Sequence, residues 1–114
     1  MADRFFNVSE VIKDLGARAT KTILYENERT NGVVWYVPPG EEVVAHWHPA
    51  TDDAWIIIAG EGEYYLGGGV THPIKAGMVA LAARGEIHGV RATGPEPLVF
   101  VAISAPMPVE MVKV

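Results

Sequence analysis

His46 and His48 are separated by one residue, and two aspartates, Asp52 and Asp53, follow close behind. On a β-strand successive side chains alternate between faces, so the two imidazoles point the same way. The same alternation puts Val44 on their face and Val43, Ala45 and Trp47 on the other. Two rings so placed can converge on one ion, and neutral imidazole suits zinc, copper, iron and nickel. Pro49 has no N–H for a central ladder, so the strand is expected to end there. The chain then returns antiparallel through residues 54–59. A carboxylate at the start of that returning strand lies beside the histidine pair, and an unknown turn leaves Asp52 and Asp53 both open. His88 sits in a second cluster, Arg84-Gly85-Glu86-Ile87-His88, where Gly85 supports a tight turn before a new strand. Bringing that strand beside the first completes three nitrogens and one oxygen.

Composition narrows the chemistry. The chain has 114 residues, and none is cysteine. Disulfides, zinc–thiolate sites and cysteine nucleophiles are therefore excluded, and a transition metal has to be held by nitrogen and oxygen. The formal net charge is -5 at pH 7, with 9 Lys plus Arg scattered along the chain. That distribution argues against nucleic acid, which needs clustered cations. The polar start lacks the apolar core of a signal peptide. The longest apolar run, residues 54–59, is too short to span a membrane. The expectation is a cytoplasmic protein with no membrane partner.

The elements that position these residues read as strands. Short runs rich in Val, Ile, Trp and Tyr fall at residues 22–25, 33–37, 42–48, 54–59, 63–66, 71–74, 78–82, 89–92 and 98–104. Gly and Pro clusters separate them. Many short strands at close spacing predict an all-β sandwich or barrel. One domain is expected, with an arm over residues 1–21, a barrel over 22–104 and a tail over 105–114 that forms an edge strand or arm. The one helix predicted covers residues 9–15, with Ser9 as its cap, Val11, Ile12 and Leu15 as its apolar stripe, and Gly16 as its stop.

The segment from Gly40 to Gly60 resembles the first cupin motif, G-x5-H-x-H-x(3,4)-E-x6-G. Gly40, His46, His48 and Gly60 stand at matching positions, with Asp53 in place of the glutamate. Gly77, Gly85 and His88 match the second motif, G-x5-P-x-G-x2-H-x3-N, with Ala83 and Ala92 in place of its proline and asparagine. The resemblance implies a double-stranded β-helix, or jelly-roll barrel, with a divalent transition metal inside: Mn, Fe, Co, Ni, Cu or Zn. It implies His46, His48, Asp53 and His88 as ligands. Aspartate is one methylene shorter than glutamate. Asp53 therefore either ligates directly or accepts a hydrogen bond while three histidines and water hold the metal.

Trp35, Trp55 and Ile57 are candidates for an apolar substrate pocket, because Trp55 and Ile57 share a strand face with Asp53. Trp47 faces away and reads as core or interface. Of Tyr64 and Tyr65, one could present a hydroxyl to the pocket. His72 reads as a surface residue. Arg84 and Arg91 flank His88 and could meet a substrate carboxylate, and Glu86 could act as acid or base if it turns toward the metal. The resemblance suggests a metal-dependent enzyme on a small, weakly charged or singly anionic molecule, of dioxygenase, decarboxylase, isomerase or lyase type. The rival expectation is a non-catalytic binding or sensor barrel. A homodimer is expected, because short barrels expose strand edges.

Overall fold

Alternating apolar residues between Gly and Pro turns build ten strands in a computed structural model that describes residues 3–114. In chain order these are β1 (Thr20–Glu26), β2 (Asn31–Val37), β3 (Glu42–Trp47), β4 (Asp52–Ala59) and β5 (Glu61–Gly67). They continue with β6 (Val70–Lys75), β7 (Val79–Ala82), β8 (His88–Ala92), β9 (Leu98–Ala105) and β10 (Val112–Lys113). The nine expected runs each contribute to one of β1–β9. The barrel starts at Thr20, two residues earlier than expected, and the tail supplies β10 at a sheet edge.

Two five-stranded antiparallel sheets form, in the orders β1-β2-β9-β4-β7 and β10-β3-β8-β5-β6. This is the double-stranded β-helix that the motifs imply. Their inner faces enclose one cluster in which Val37, Val90, Leu98 and Phe100 are fully buried beside Trp55 and Ile57. Each such side chain contributes about 1.5–3 kcal/mol on burial. No helix among the described residues is long and apolar enough to cross a membrane.

Two local expectations are corrected. The helix α1 spans Val8–Val11, and Asn7 rather than Ser9 caps it, accepting from the Glu10 N–H at 3.2 Å. Asparagine caps as well as serine does, and Asn7 is placed to reach the third helical N–H. The helix does not reach Leu15, because Asp14 takes a left-handed φ of 65°.

The second correction concerns β3. Val43 is 5% exposed and Val44 44%, so Val43, not Val44, shares the inner face with His46. Val43 pairs with Val90 and His46 with His88, so three steps along β3 match two along β8. That is a β-bulge, which inverts the alternation. Gly89 on β8 permits it, since a Cβ there would lie 2.7 Å from the Val43 carbonyl oxygen and 3.0 Å from the Ala45 Cα.

Candidate metal centre

His46 on β3 and His88 on β8 are direct partners across one antiparallel ladder. His48 follows two residues after His46, just past the end of β3. Asp53 comes from the opposite sheet, on β4, where it pairs with Ala82 of β7 and Ser104 of β9. One donor atom from each of the four lies within 4.8 Å of the others, and all four residues are buried. The ring centroids are 4.2 Å apart for His46–His88, 4.9 Å for His48–His88 and 5.0 Å for His46–His48.

Each imidazole is held from behind by a backbone carbonyl. His46 Nδ1 lies 2.7 Å from the Val44 oxygen, His48 Nδ1 2.7 Å from the Glu110 oxygen, and His88 Nδ1 3.0 Å from the Glu86 oxygen. A carbonyl only accepts, so Nδ1 carries the proton in each ring and Nε2 of the neutral ring presents a lone pair. That pattern fixes tautomer and direction in metal-ligating histidines. The Val44 carbonyl belongs to the bulged stretch of β3. The Glu110 carbonyl belongs to the tail, which is also tied down where Thr51 Oγ1 donates to the Pro106 carbonyl at 2.9 Å.

Asp53 Oδ2 lies 3.0 Å from His88 Nε2 and 3.5 Å from His48 Nε2. A carboxylate oxygen and the lone pair of a neutral imidazole this close repel unless a proton or a metal ion lies between them. Donors bound to one ion at about 2.1 Å sit about 3.0 Å apart at a right angle and about 3.4 Å apart at a tetrahedral angle. The two Asp53 contacts therefore have the spacing of donors on one divalent ion, and the four residues could hold one. Two donors steady the carboxylate: Trp55 Nε1 reaches Oδ2 at 3.1 Å and Ser104 Oγ reaches Oδ1 at 3.2 Å.

Without a metal, the charges distribute unevenly. Burial alone would raise the Asp53 carboxyl, but hydrogen bonds from His48, His88 and Trp55, with the charge of His88, hold it well below the ordinary carboxylate range. The hydrogen bond to Asp53 raises His48 against the opposing effect of burial. Burial lowers His46, with the Val44 carbonyl pulling the other way. One ring is thus predisposed to the neutral, ligating form and another to a proton that a metal would displace.

Asp52 faces away from the cluster. It is exposed, and its Oδ1 accepts from the Arg84 N–H at 2.9 Å, which ties β4 to the turn before His88. Gly85 takes a φ of 81° in that turn, and its N–H donates to the His48 carbonyl at 2.8 Å.

Trp55 lies at the site: it is buried, 5.6 Å from His88 and 4.0 Å from Phe100 between ring centroids. Ile57 belongs to the buried core, and Trp35 packs against it, 6.5 Å from Phe100. A pocket of about 250 Å³ is lined by Ala82, the strand partner of Asp53, and by Ile87, the neighbour of His88, with Tyr64 and Glu86 as its polar side chains; the four cluster residues themselves do not line it. His72 is exposed and turned to the Pro73 carbonyl. Arg91 lies on the outer face, against the Gly40 carbonyl and Glu42. Sequence reasoning missed Ser104, although a lone polar residue ending the apolar run from Leu98 was a visible signal. The three carbonyls that aim the rings left no signal in residue type, because every residue carries one.

The Cupin_2 family model, described as cupin domain, matches residues 33–104. An oxalate-binding protein of Thermotoga maritima is 37% identical over 67 residues, which cover 59% of this chain and 54% of that protein. The match thus spans about half the length of that curated relative. Among solved structures, an uncharacterized conserved protein with a double-stranded beta-helix domain from Klebsiella pneumoniae superposes with a TM-score of 0.93. It is 34% identical, and the alignment covers 99% of this chain and 98% of that one. A predicted oxalate decarboxylase from Thermotoga maritima gives a TM-score of 0.71 at 29% identity, covering 78% of this chain and 81% of that one. A family model that spans most of the chain, two matched motifs and a near-complete superposition agree: this chain belongs to the cupin domain family.

Proposed function

We propose that the chain is a metal-dependent enzyme that acts on a small, weakly charged or singly anionic organic molecule. In this reading His46, His48, His88 and Asp53 hold one divalent transition-metal ion. The observation that carries it is the convergence of three Nε2 atoms and one carboxylate, with every Nδ1 already engaged by a carbonyl. When bound, such an ion supplies Lewis acidity toward a substrate oxygen. The chain's own part is to keep the imidazoles neutral and aimed, to hold Asp53 ionised, and to exclude water with the Trp55 ring.

Decarboxylation, dioxygenation, isomerisation and lyase chemistry all require negative charge to be stabilised on oxygen, and this site suits that need. The relatives named for oxalate point to a small acid. Elemental analysis of untagged protein is expected to find about one divalent transition ion per chain. Protein that takes up none from any of the six metals would remove the proposal.

The relative named as an oxalate-binding protein supports a second reading, a barrel that binds without turnover. Small acids that raise the melting temperature of the metal-loaded chain, yet are recovered unchanged, would favour it.

Pairing of two copies is part of the proposal. Ile56 and Ile58 of β4 lie beside Val79 and Leu81 of β7 on an outer sheet face, all four exposed. An adjacent aliphatic group of this kind favours burial against a like surface. Light scattering is expected to show a dimer, and Ile58→Lys a monomer. A monomeric wild type would refute the pairing.

A further inference from the structure

The pocket lies one residue away from two members of the cluster. Ala82 lines it and pairs directly with Asp53, and Ile87, the residue before His88, lines it as well. Ile87 gives it an apolar wall, and Leu66 and Leu81, both exposed, form its outer rim. Among the described residues, Tyr64 and Glu86 are the polar side chains that line it, and no Lys or Arg does.

Tyr64 is 6% exposed, and its hydroxyl has no hydrogen-bond partner among the described residues. Glu63 Oε2 is the one fully buried side-chain polar atom without a partner among them, so the Tyr64 hydroxyl reaches open space. The space it lines is this pocket. Burial, then the charges of Asp53 and Glu86, push the Tyr64 pKa up, so the phenol keeps its proton and can donate it in a hydrogen bond. Glu86 is fixed through one oxygen, where Oε1 accepts from the Ala83 N–H at 2.8 Å. Its second oxygen has no partner among the described residues.

We propose that Tyr64 and Glu86 form the specificity end of the ligand site, selecting a ligand whose far end is a hydroxyl or ammonium group rather than a second carboxylate. This rests on the reading above, in which the near end of the ligand meets the metal. A divalent ion with one aspartate and neutral imidazoles keeps a single net positive charge, which one carboxylate satisfies. A second carboxylate would face Glu86 with no cation to offset it. An ammonium group pairs with Glu86. A hydroxyl accepts from Tyr64 and donates to Glu86.

Four probes share a carboxylate and a four-carbon body and differ only at the far end: butanoate, 4-hydroxybutanoate, 4-aminobutanoate and succinate. Titration calorimetry on the metal-loaded full chain is expected to rank the hydroxyl and ammonium probes about three- to fivefold tighter than butanoate, and succinate weakest. Glu86→Gln keeps an acceptor for the Ala83 N–H and is expected to erase the ammonium advantage and to improve succinate. Tyr64→Phe is expected to erase the hydroxyl advantage, with metal content unchanged in both variants. Succinate binding as tightly as 4-aminobutanoate, a ranking unmoved by Glu86→Gln, or no binding by any probe would overturn the proposal. Metal content, measured first, keeps the two readings apart. A chain that loads no metal overturns both readings, whereas a metal-loaded chain whose ranking does not follow the far end overturns the role of Tyr64 and Glu86 alone.

Discussion

His46 and His88 face each other as direct partners on neighbouring antiparallel strands, with ring centroids 4.2 Å apart. Both point their Nε2 side inward, because Val44 and Glu86 carbonyls hold their Nδ1 atoms. Removing either ring therefore opens the cluster without disturbing the ladder. His88→Ala is expected to lower metal affinity by roughly a hundredfold or more. Competition with a chelator of known affinity measures it.

Gly89 is where a single methyl group would report on the bulge. A Cβ at this position lies 2.7 Å from the Val43 carbonyl oxygen and 2.8 Å from the Tyr65 ring. Backbone cannot yield cheaply, so Gly89→Ala is expected to cost about 1–3 kcal/mol in urea unfolding. Metal affinity should fall with it, since the shift moves the Val44 carbonyl that aims His46.

Ser104 acts on the site only through Asp53, whose Oδ1 it meets at 3.2 Å. Ser104→Ala is expected to lose about 1 kcal/mol of stability and about tenfold in metal affinity. Ser104→Thr, which keeps the hydroxyl, should recover most of the affinity. Loss in both variants would mean that the hydroxyl plays no part in steadying Asp53.

The metal-free protein should record the Asp53–histidine contacts in its pH dependence. The Asp53 carboxyl is depressed in the folded chain from 3.8, so its stabilisation is full above about that pH and is lost as pH falls through the lower folded value. His48 is raised from 6.5, so its share is full below about that pH and is lost as pH rises through the higher folded value. The stability difference between wild type and Asp53→Asn is therefore expected to be largest between about pH 4 and 6.5 and to decline on both sides. Urea midpoints of both proteins across pH 2–9 measure it, and a difference that does not vary with pH would contradict the contacts.

The residue types alone determined a good deal. Alternating apolar runs and Gly or Pro turns located the strands, because strand periodicity and turn chemistry are local properties. Two spaced motifs nominated His46, His48, Asp53 and His88, because donors for one ion have to be imidazole or carboxylate in a chain without cysteine. What only the tertiary structure decided depends on parity and register. Asp52 and Asp53 differ by one step across the turn at Pro49, and it took the pairing of β4 with β7 and β9 to turn Asp53 inward. The inner face of β3 passed to Val43 because a bulge adds one residue opposite Gly89, a spacing that packing sets and alternation cannot anticipate. The carbonyls of Val44, Glu86 and Glu110 that aim the rings are backbone groups, common to every residue. Their roles arise from where the chain runs, and no side chain encodes that.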